Sequence, residues 1–163
     1  MVCWLFGCAV LMAQPSLPDK YTWETDADFR RDSALVVQCL RWLTDADEVH
    51  SAENWSETNA FVMMWLSNTP LVTVNIDDAW RPELPDDVIS EPLWFSMVHG
   101  YALRALTHPG VADEIEAHKS GLKAMAAYAR EHKKQVRHFK EIRKVMRVSK
   151  KDKRLTRYLE DRL

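Results

Sequence analysis

A chain of 163 residues that is 47% hydrophobic and carries seven tryptophans is long enough to bury one core and too short for two, and its apolar content excludes disorder throughout. The formal net charge of -2 conceals a division: residues 14–129 hold 8 Lys and Arg against 19 Asp and Glu, a balance of -11, whereas residues 130–163 hold 14 against 5, a balance of +9. That asymmetry excludes an evenly mixed surface and directs the search for a partner to the C-terminal segment.

Residues 1–13 contain no charged side chain. So short an apolar run cannot cross a bilayer core of about 30 Å, which takes about 20 helical residues. It is expected to be a signal peptide cleaved after Ala13, although no Lys or Arg opens it. Two alternatives stay open: lipidation of Cys8, preceded by Leu5, Phe6 and Gly7, or an apolar N-terminal helix docked on the core. Cleavage would remove Cys3 and Cys8 and leave Cys39 alone, which excludes an intramolecular disulfide. Cys39 sits among Leu35, Val36, Leu40 and Leu43 and is expected to be a small core residue.

Residues 14–25 are expected to be a stiff extended linker, because Pro15 and Pro18 fix their own φ and bias their predecessors away from helix. Tyr21 and Trp23 are placed to clip it to the domain. A first helix is predicted over 26–44, opened by a capping box of Thr25 and Asp28, with Phe29, Val36, Leu40 and Leu43 on its buried face. A polar loop over 45–51 leads to a second helix over 52–67. Ala60, Phe61, Val62, Met63, Met64, Trp65 and Leu66 make it apolar on nearly every side, as befits a helix central to the core. Residues 71–76 alternate like a short strand but have no predicted partner strand, so they are assigned to an extended connection.

The stretch 77–91, with Pro82, Pro85 and paired acids, is a predicted loop. A third helix is predicted over 92–107 with Pro92 as its first residue and Leu93, Val98, Ala102 and Leu106 as its stripe. The fourth spans 111–134, faced by Ile115, Leu122, Met125, Ala126 and Ala129, with Gly121 as a weak point or break. Beyond it Val136, Phe139, Ile142 and Val145 or Met146 recur every three or four residues, with Lys140, Arg143, Lys144 and Arg147 between them. A Ser149–Asp152 capping box is expected to open a last helix carrying Leu155, Tyr158, Leu159 and Leu163. The expected fold is all-α: a single domain of four or five helices over 26–134, with a basic amphipathic helical tail over 135–163 that protrudes or docks loosely.

The residues Pro18-Asp19-Lys20-Tyr21-Thr22-Trp23, then Asn59-Ala60-Phe61-Val62 with Trp65-Leu66-Ser67 and Pro70, resemble a family of small exported helical proteins of unknown function from Gram-negative bacteria. In that family a leader ending in Ala-Gln precedes the same Pro and Tyr-x-Trp pattern, matching Ala13-Gln14. The resemblance covers residues 13–130 and fades in the basic tail. It implies export to the periplasm or beyond, and it implies no activity.

Candidate chemistry is sparse. His99, His108, His118, His132 and His138 invite a metal, and Glu114 lies one turn from His118, but without a His-Glu-x-x-His pair or clustered cysteines no metal or cofactor is expected. Asp77, Asp78, Asp86 and Asp87 flank Trp80, where paired carboxylates beside an aromatic ring would suit a hydrolase or a sugar-binding protein. No nucleophile elbow, phosphate loop or dinucleotide fingerprint is present, so no catalytic residue is assigned. Asn54 is expected to act as a local helix cap rather than a glycosylation site.

The basic tail is the feature that asks for a partner. Its predicted binding face is Arg137, Phe139, Lys140, Ile142, Arg143, Lys144 and Arg147, suited to an acidic protein or an anionic membrane at about 1 kcal/mol per cation. The chain's own acidic body is a third surface on which it could dock. Nucleic acid is not expected, since export separates the chain from it and the tail lacks an aromatic stacking platform. Sequence alone thus points to an exported, non-enzymatic helical protein that acts through contacts, of open oligomeric state, with the acidic loop around Trp80 as the rival site.

Overall fold

The computed structural model describes residues 14–45, 51–75, 82–109 and 114–162. The expected leader lies outside these residues, as do Asp77, Asp78 and Trp80 of the middle loop. The fold is all-α. In chain order its helices are α1 (Asp26–Thr44), α2 (Ala52–Asn68), α3 (Ser90–Thr107), α4 (Glu114–Glu131), α5 (Lys133–Val136), α6 (Lys140–Val148) and α7 (Asp152–Glu160). Residues 72–75 belong to neither helix nor strand, and no strand occurs among the described residues.

Local chemistry explains the helix ends. Thr25 caps α1 by accepting the Asp28 N–H, while the Asp28 carboxylate accepts the Thr25 N–H at 3.0 Å, as the sequence pattern predicts. Ser51, not Asn54, caps α2, its hydroxyl accepting the Asn54 N–H at 3.2 Å. Helix α3 begins at Ser90, so Pro92 is its third residue rather than its first. Proline is tolerated there because the first four N–H groups of a helix have no intrahelical acceptor. The expected Ser149–Asp152 box does not form: Lys151 stands at the N-cap of α7 with no side-chain bond. Asp152 instead meets the ammonium groups of Lys119 and Lys123 on α4, charge-assisted bonds that outcompete a neutral cap.

Two apolar clusters meet at α3. The first joins α1 and α2 through Phe29, Val36, Cys39, Leu40, Phe61, Val62 and Trp65, with Ala102 contributed by α3. The linker is clipped to it as expected. Tyr21 stacks on Trp23 at 4.6 Å and packs edge-on to Phe61 at 5.2 Å, and the Trp23 indole N–H donates to Asp32 at 2.8 Å. Cys39 is fully buried in this cluster, and desolvation pushes its thiol up to about 12.

The second cluster carries Leu93 and Met97 of α3, Leu122, Met125, Ala126 and Ala129 of α4, and Val136, Phe139, Ile142, Val145, Leu155, Tyr158 and Leu159 from the tail. The tail is therefore a wall of the core, not a protruding or loosely docked appendage. The physical reason lies in its stripe. Seven large apolar side chains at helical spacing bury against α3 and α4, each contributing about 1.5–3 kcal/mol of burial free energy for the larger residues.

Helices α3 and α4 approach closely enough to need glycine. A Cβ on Gly121 would stand 2.7 Å from the Met97 carbonyl oxygen, and one on Gly100 would stand 2.5 Å from the Ser120 carbonyl oxygen. Gly121 accordingly causes no break: α4 runs through it unbroken, and the missing side chain serves the packing.

Candidate interaction surface

Helix α6 sorts its side chains by charge. Ile142 and Val145 are buried, whereas Lys140, Arg143, Lys144 and Arg147, at i, i+3, i+4 and i+7, form one exposed stripe on the opposite side. Neighbouring cations of such a stripe lie about 5–6 Å apart at Cβ. Arg137 before the helix and Lys150, Lys151 and Lys153 after it are exposed as well.

Glu141 and Asp152 are engaged away from the stripe. Glu141 accepts from Arg162 at 3.0 Å, and Arg162 lies over the Tyr158 ring at 3.7 Å. Asp152 takes Lys123 at 3.0 Å and also bonds Lys119. Among the described residues no ion pair engages Lys140, Arg143 or Arg147, and Lys144 lies 5.2 Å from the Tyr158 ring centre. Carboxylates thus hold the seam while cations face water.

Of the sequence-predicted face, Arg137, Lys140, Arg143, Lys144 and Arg147 are exposed, the last four on one side of α6. Phe139 and Ile142 do not belong to it. At 4% and 0% exposure they are core, because the apolar stripe that suggested an insertion face is the stripe that docks on α4. The remaining outer surface of α6 is purely cationic.

Lys119 escaped the sequence reading. It is 3% exposed, yet its ammonium group bonds Glu116 and Asp152, locking the start of α7 to α4. Desolvation lowers its pKa, but the hydrogen bonds it donates to Asp152 and Glu116 outweigh that and leave it raised. The same bond from Lys119, then that from Lys123, lowers the pKa of Asp152. The signal was present: Lys119 stands three residues before Leu122 and seven before Ala126, on the buried stripe of α4.

The histidines disperse. His99 is buried between α3 and α2, its Nε2 2.9 Å from the Asn59 Oδ1, and burial drives its pKa down to about 3, so the ring is neutral. His118 Nδ1 meets the Glu114 carbonyl at 2.8 Å and His132 Nδ1 the Tyr128 carbonyl at 3.0 Å. Among the described residues no three potential metal ligands converge.

Of the acidic loop, Asp86 and Asp87 are described. With Glu91, Val88 and Trp94 they line a broad open cleft of about 920 Å³. Both carboxylates are solvent-exposed, and Asp87 is fixed by accepting the Ile89 N–H at 3.3 Å. Among the described residues the cleft is open to solvent. His138 Nε2 lies 3.9 Å from Asp87, which brings this loop to the residues just before α6. Among the described residues, no helix is long and apolar enough to cross a membrane. No protein-family model, curated protein or solved structure matches the chain.

Proposed function

We propose that the chain is an exported, non-enzymatic contact protein that docks an acidic surface, of a protein or of the envelope membrane, through the outer face of α6. The observation that carries this reading is the stripe Lys140, Arg143, Lys144 and Arg147: four exposed cations on one side of a helix whose other side is core. With Phe139 and Ile142 buried, the contact is electrostatic and involves no apolar insertion. It should therefore weaken steeply with salt, because exposed charges are screened beyond about 8–10 Å near physiological ionic strength.

Deleting residues 130–163 would strip the second cluster and unfold the domain, so the test is substitution. Arg143→Glu with Arg147→Glu removes two cations at about 1 kcal/mol each, a loss of roughly thirtyfold in affinity before any repulsion is added. The readout is co-sedimentation of the purified protein with native envelope fractions across a salt series. Association that survives both the substitution and the salt would overturn the reading. The rival sugar-binding or hydrolytic role has the cleft beside Trp94 in its favour. Calorimetric titration with envelope oligosaccharides, giving heat in the native chain and none in Asp86→Asn, would support it instead.

A further inference from the structure

His99 is sealed beneath the start of α2. Its ring is fully buried, with Trp55 of α2 at 6.1 Å and Phe95 of α3 stacked on it at 6.4 Å. Nε2 sits 2.9 Å from the Asn59 Oδ1. An amide oxygen only accepts, so Nε2 carries the proton and Nδ1 is a bare lone pair. That Nδ1 is buried and has no hydrogen-bond partner among the described residues. Trp55 also touches Tyr128 of α4 at 6.4 Å. The first two turns of α2 thus reach α3 and α4 through Trp55 and Asn59, whereas Phe61, Val62 and Trp65 root the rest of the helix in the first cluster. Glu53, Ser56 and Glu57 of those turns are exposed, and the buried Thr58 hydroxyl makes no hydrogen bond among the described residues. We propose that residues 52–59 form an acid-sensitive latch: a proton taken up at His99 Nδ1 releases these two turns from α3 and α4 and uncovers Phe95, His99 and Tyr128.

The latch is independent of the cationic stripe. Protonation leaves the Nε2 bond to Asn59 intact, but it adds an Nδ1–H without an acceptor and a charge without a counter-ion at a buried site, and opening delivers both to water. The titratable groups around the site do not supply the missing partner. On α4 the Tyr128 phenol is raised by burial and then by Glu131, and His132 stacks on Tyr128 at 4.2 Å; on α2, Glu53 and Glu57 are exposed. Burial alone lowers His99 from 6.5 to about 3. The closed form therefore binds the proton more weakly than the open one, is fully favoured above 6.5 and loses ground as pH falls towards 3. The ratio of open to closed chains rises about tenfold per pH unit in that window, or about a hundredfold between pH 7.5 and pH 4.5.

Hydrogen exchange read by mass spectrometry at pH 7.5 and pH 4.5, corrected for the intrinsic pH dependence of amide exchange, tests the latch. The expected result is an opening constant for residues 52–59 that rises about a hundredfold at pH 4.5, while residues 61–68 stay better protected at both pH values. His99→Gln, which keeps a neutral donor for Asn59, should abolish the rise, and His138→Gln, at an exposed histidine, should retain it. An unchanged opening constant, equal exchange along the whole of α2, or a rise that survives His99→Gln would each overturn the proposal. Should His99→Gln fail to fold, carbon–proton NMR of the native histidine rings decides. A His99 ring that is neutral at pH 4.5 in the closed chain supports the latch, and one that titrates near 6.5 with no change in exchange over residues 52–59 sinks it.

Discussion

Ile142→Ala separates a core tail from a free one. Ile142 is fully buried in the cluster that joins α4 to the C-terminal helices. The substitution deletes three carbon groups at about 0.8 kcal/mol each, or about 2.4 kcal/mol of transfer free energy. The cavity left behind adds a further penalty, since the surrounding helices relax only in part, bringing the total to about 3–4 kcal/mol. For a chain of this size that corresponds to a melting temperature about 6–16 °C lower. Urea unfolding followed by far-ultraviolet circular dichroism should show the midpoint falling with the slope unchanged. Arg143→Ala, on the opposite face of the same helix, should stay within about 0.5 kcal/mol of the parent. An Ile142→Ala loss below about 1 kcal/mol at constant slope would mean that α6 is undocked in solution, and the assignment of Ile142 to the core would fall.

Gly121→Ala should destabilise by about 1–3 kcal/mol although alanine favours helix by about 1 kcal/mol, because the new Cβ would meet the Met97 carbonyl oxygen at 2.7 Å; a raised melting temperature would contradict the close approach. The Lys119–Asp152 lock should be pH-dependent on both sides. Asp152, lowered from 3.8 by its lysine partners, contributes stability that is present above that value and lost as pH falls through its folded pKa, while Lys119, raised above 10.5, contributes stability lost only as pH climbs past its folded pKa. Melting curves of Asp152→Asn against the parent should therefore converge below pH 4, and parallel acid profiles would refute the lock. The Cys39 thiol, buried and pushed up to about 12, should resist alkylation at pH 8 in the folded chain and react fully in urea. Peptide mass spectrometry reads this, and rapid labelling of Cys39 in the native state would place it outside the core.

Much of the fold was legible because its signals are local. The bounds of α1 follow from the Thr25–Asp28 box and from Phe29, Val36, Leu40 and Leu43 at helical spacing, all of which the backbone reads within a few residues. The register of the tail was equally plain: Val136, Phe139, Ile142, Val145, Leu155, Tyr158 and Leu159 are buried as their spacing requires. What spacing could not supply was the partner of that stripe. An amphipathic helix looks the same whether its apolar face meets a membrane or its own domain, and only the groove along α4 decides. Gly121 was misjudged for the same reason: its intrinsic cost is local, whereas its use, the approach of Met97, comes from a helix about twenty residues earlier. The Ser149–Asp152 box failed because Lys119, 33 residues from Asp152, offered that carboxylate a charged partner.

The burial of Phe139 and Ile142 changes what the charge division means. With those side chains free, the tail would be an amphipathic helix whose lysines and arginines merely accompany an apolar insertion. With them in the core, the cations lose that supporting role, yet their arrangement remains ordered: Glu141 and Asp152 turn to Arg162 and to Lys119 and Lys123, while Lys140, Arg143, Lys144 and Arg147 gather on the solvent side. A solvated helix face gains from mixing acids among its bases at i and i+4, at about 0.2–0.5 kcal/mol per pair, and is penalised for like charges at the same spacing. The outer face of α6 bears that penalty between Lys140 and Lys144 and between Arg143 and Arg147, with no carboxylate on the stripe to relieve it. Self-repulsion of this kind is relieved when an acidic surface covers the stripe, which is why the search for a partner belongs on this face.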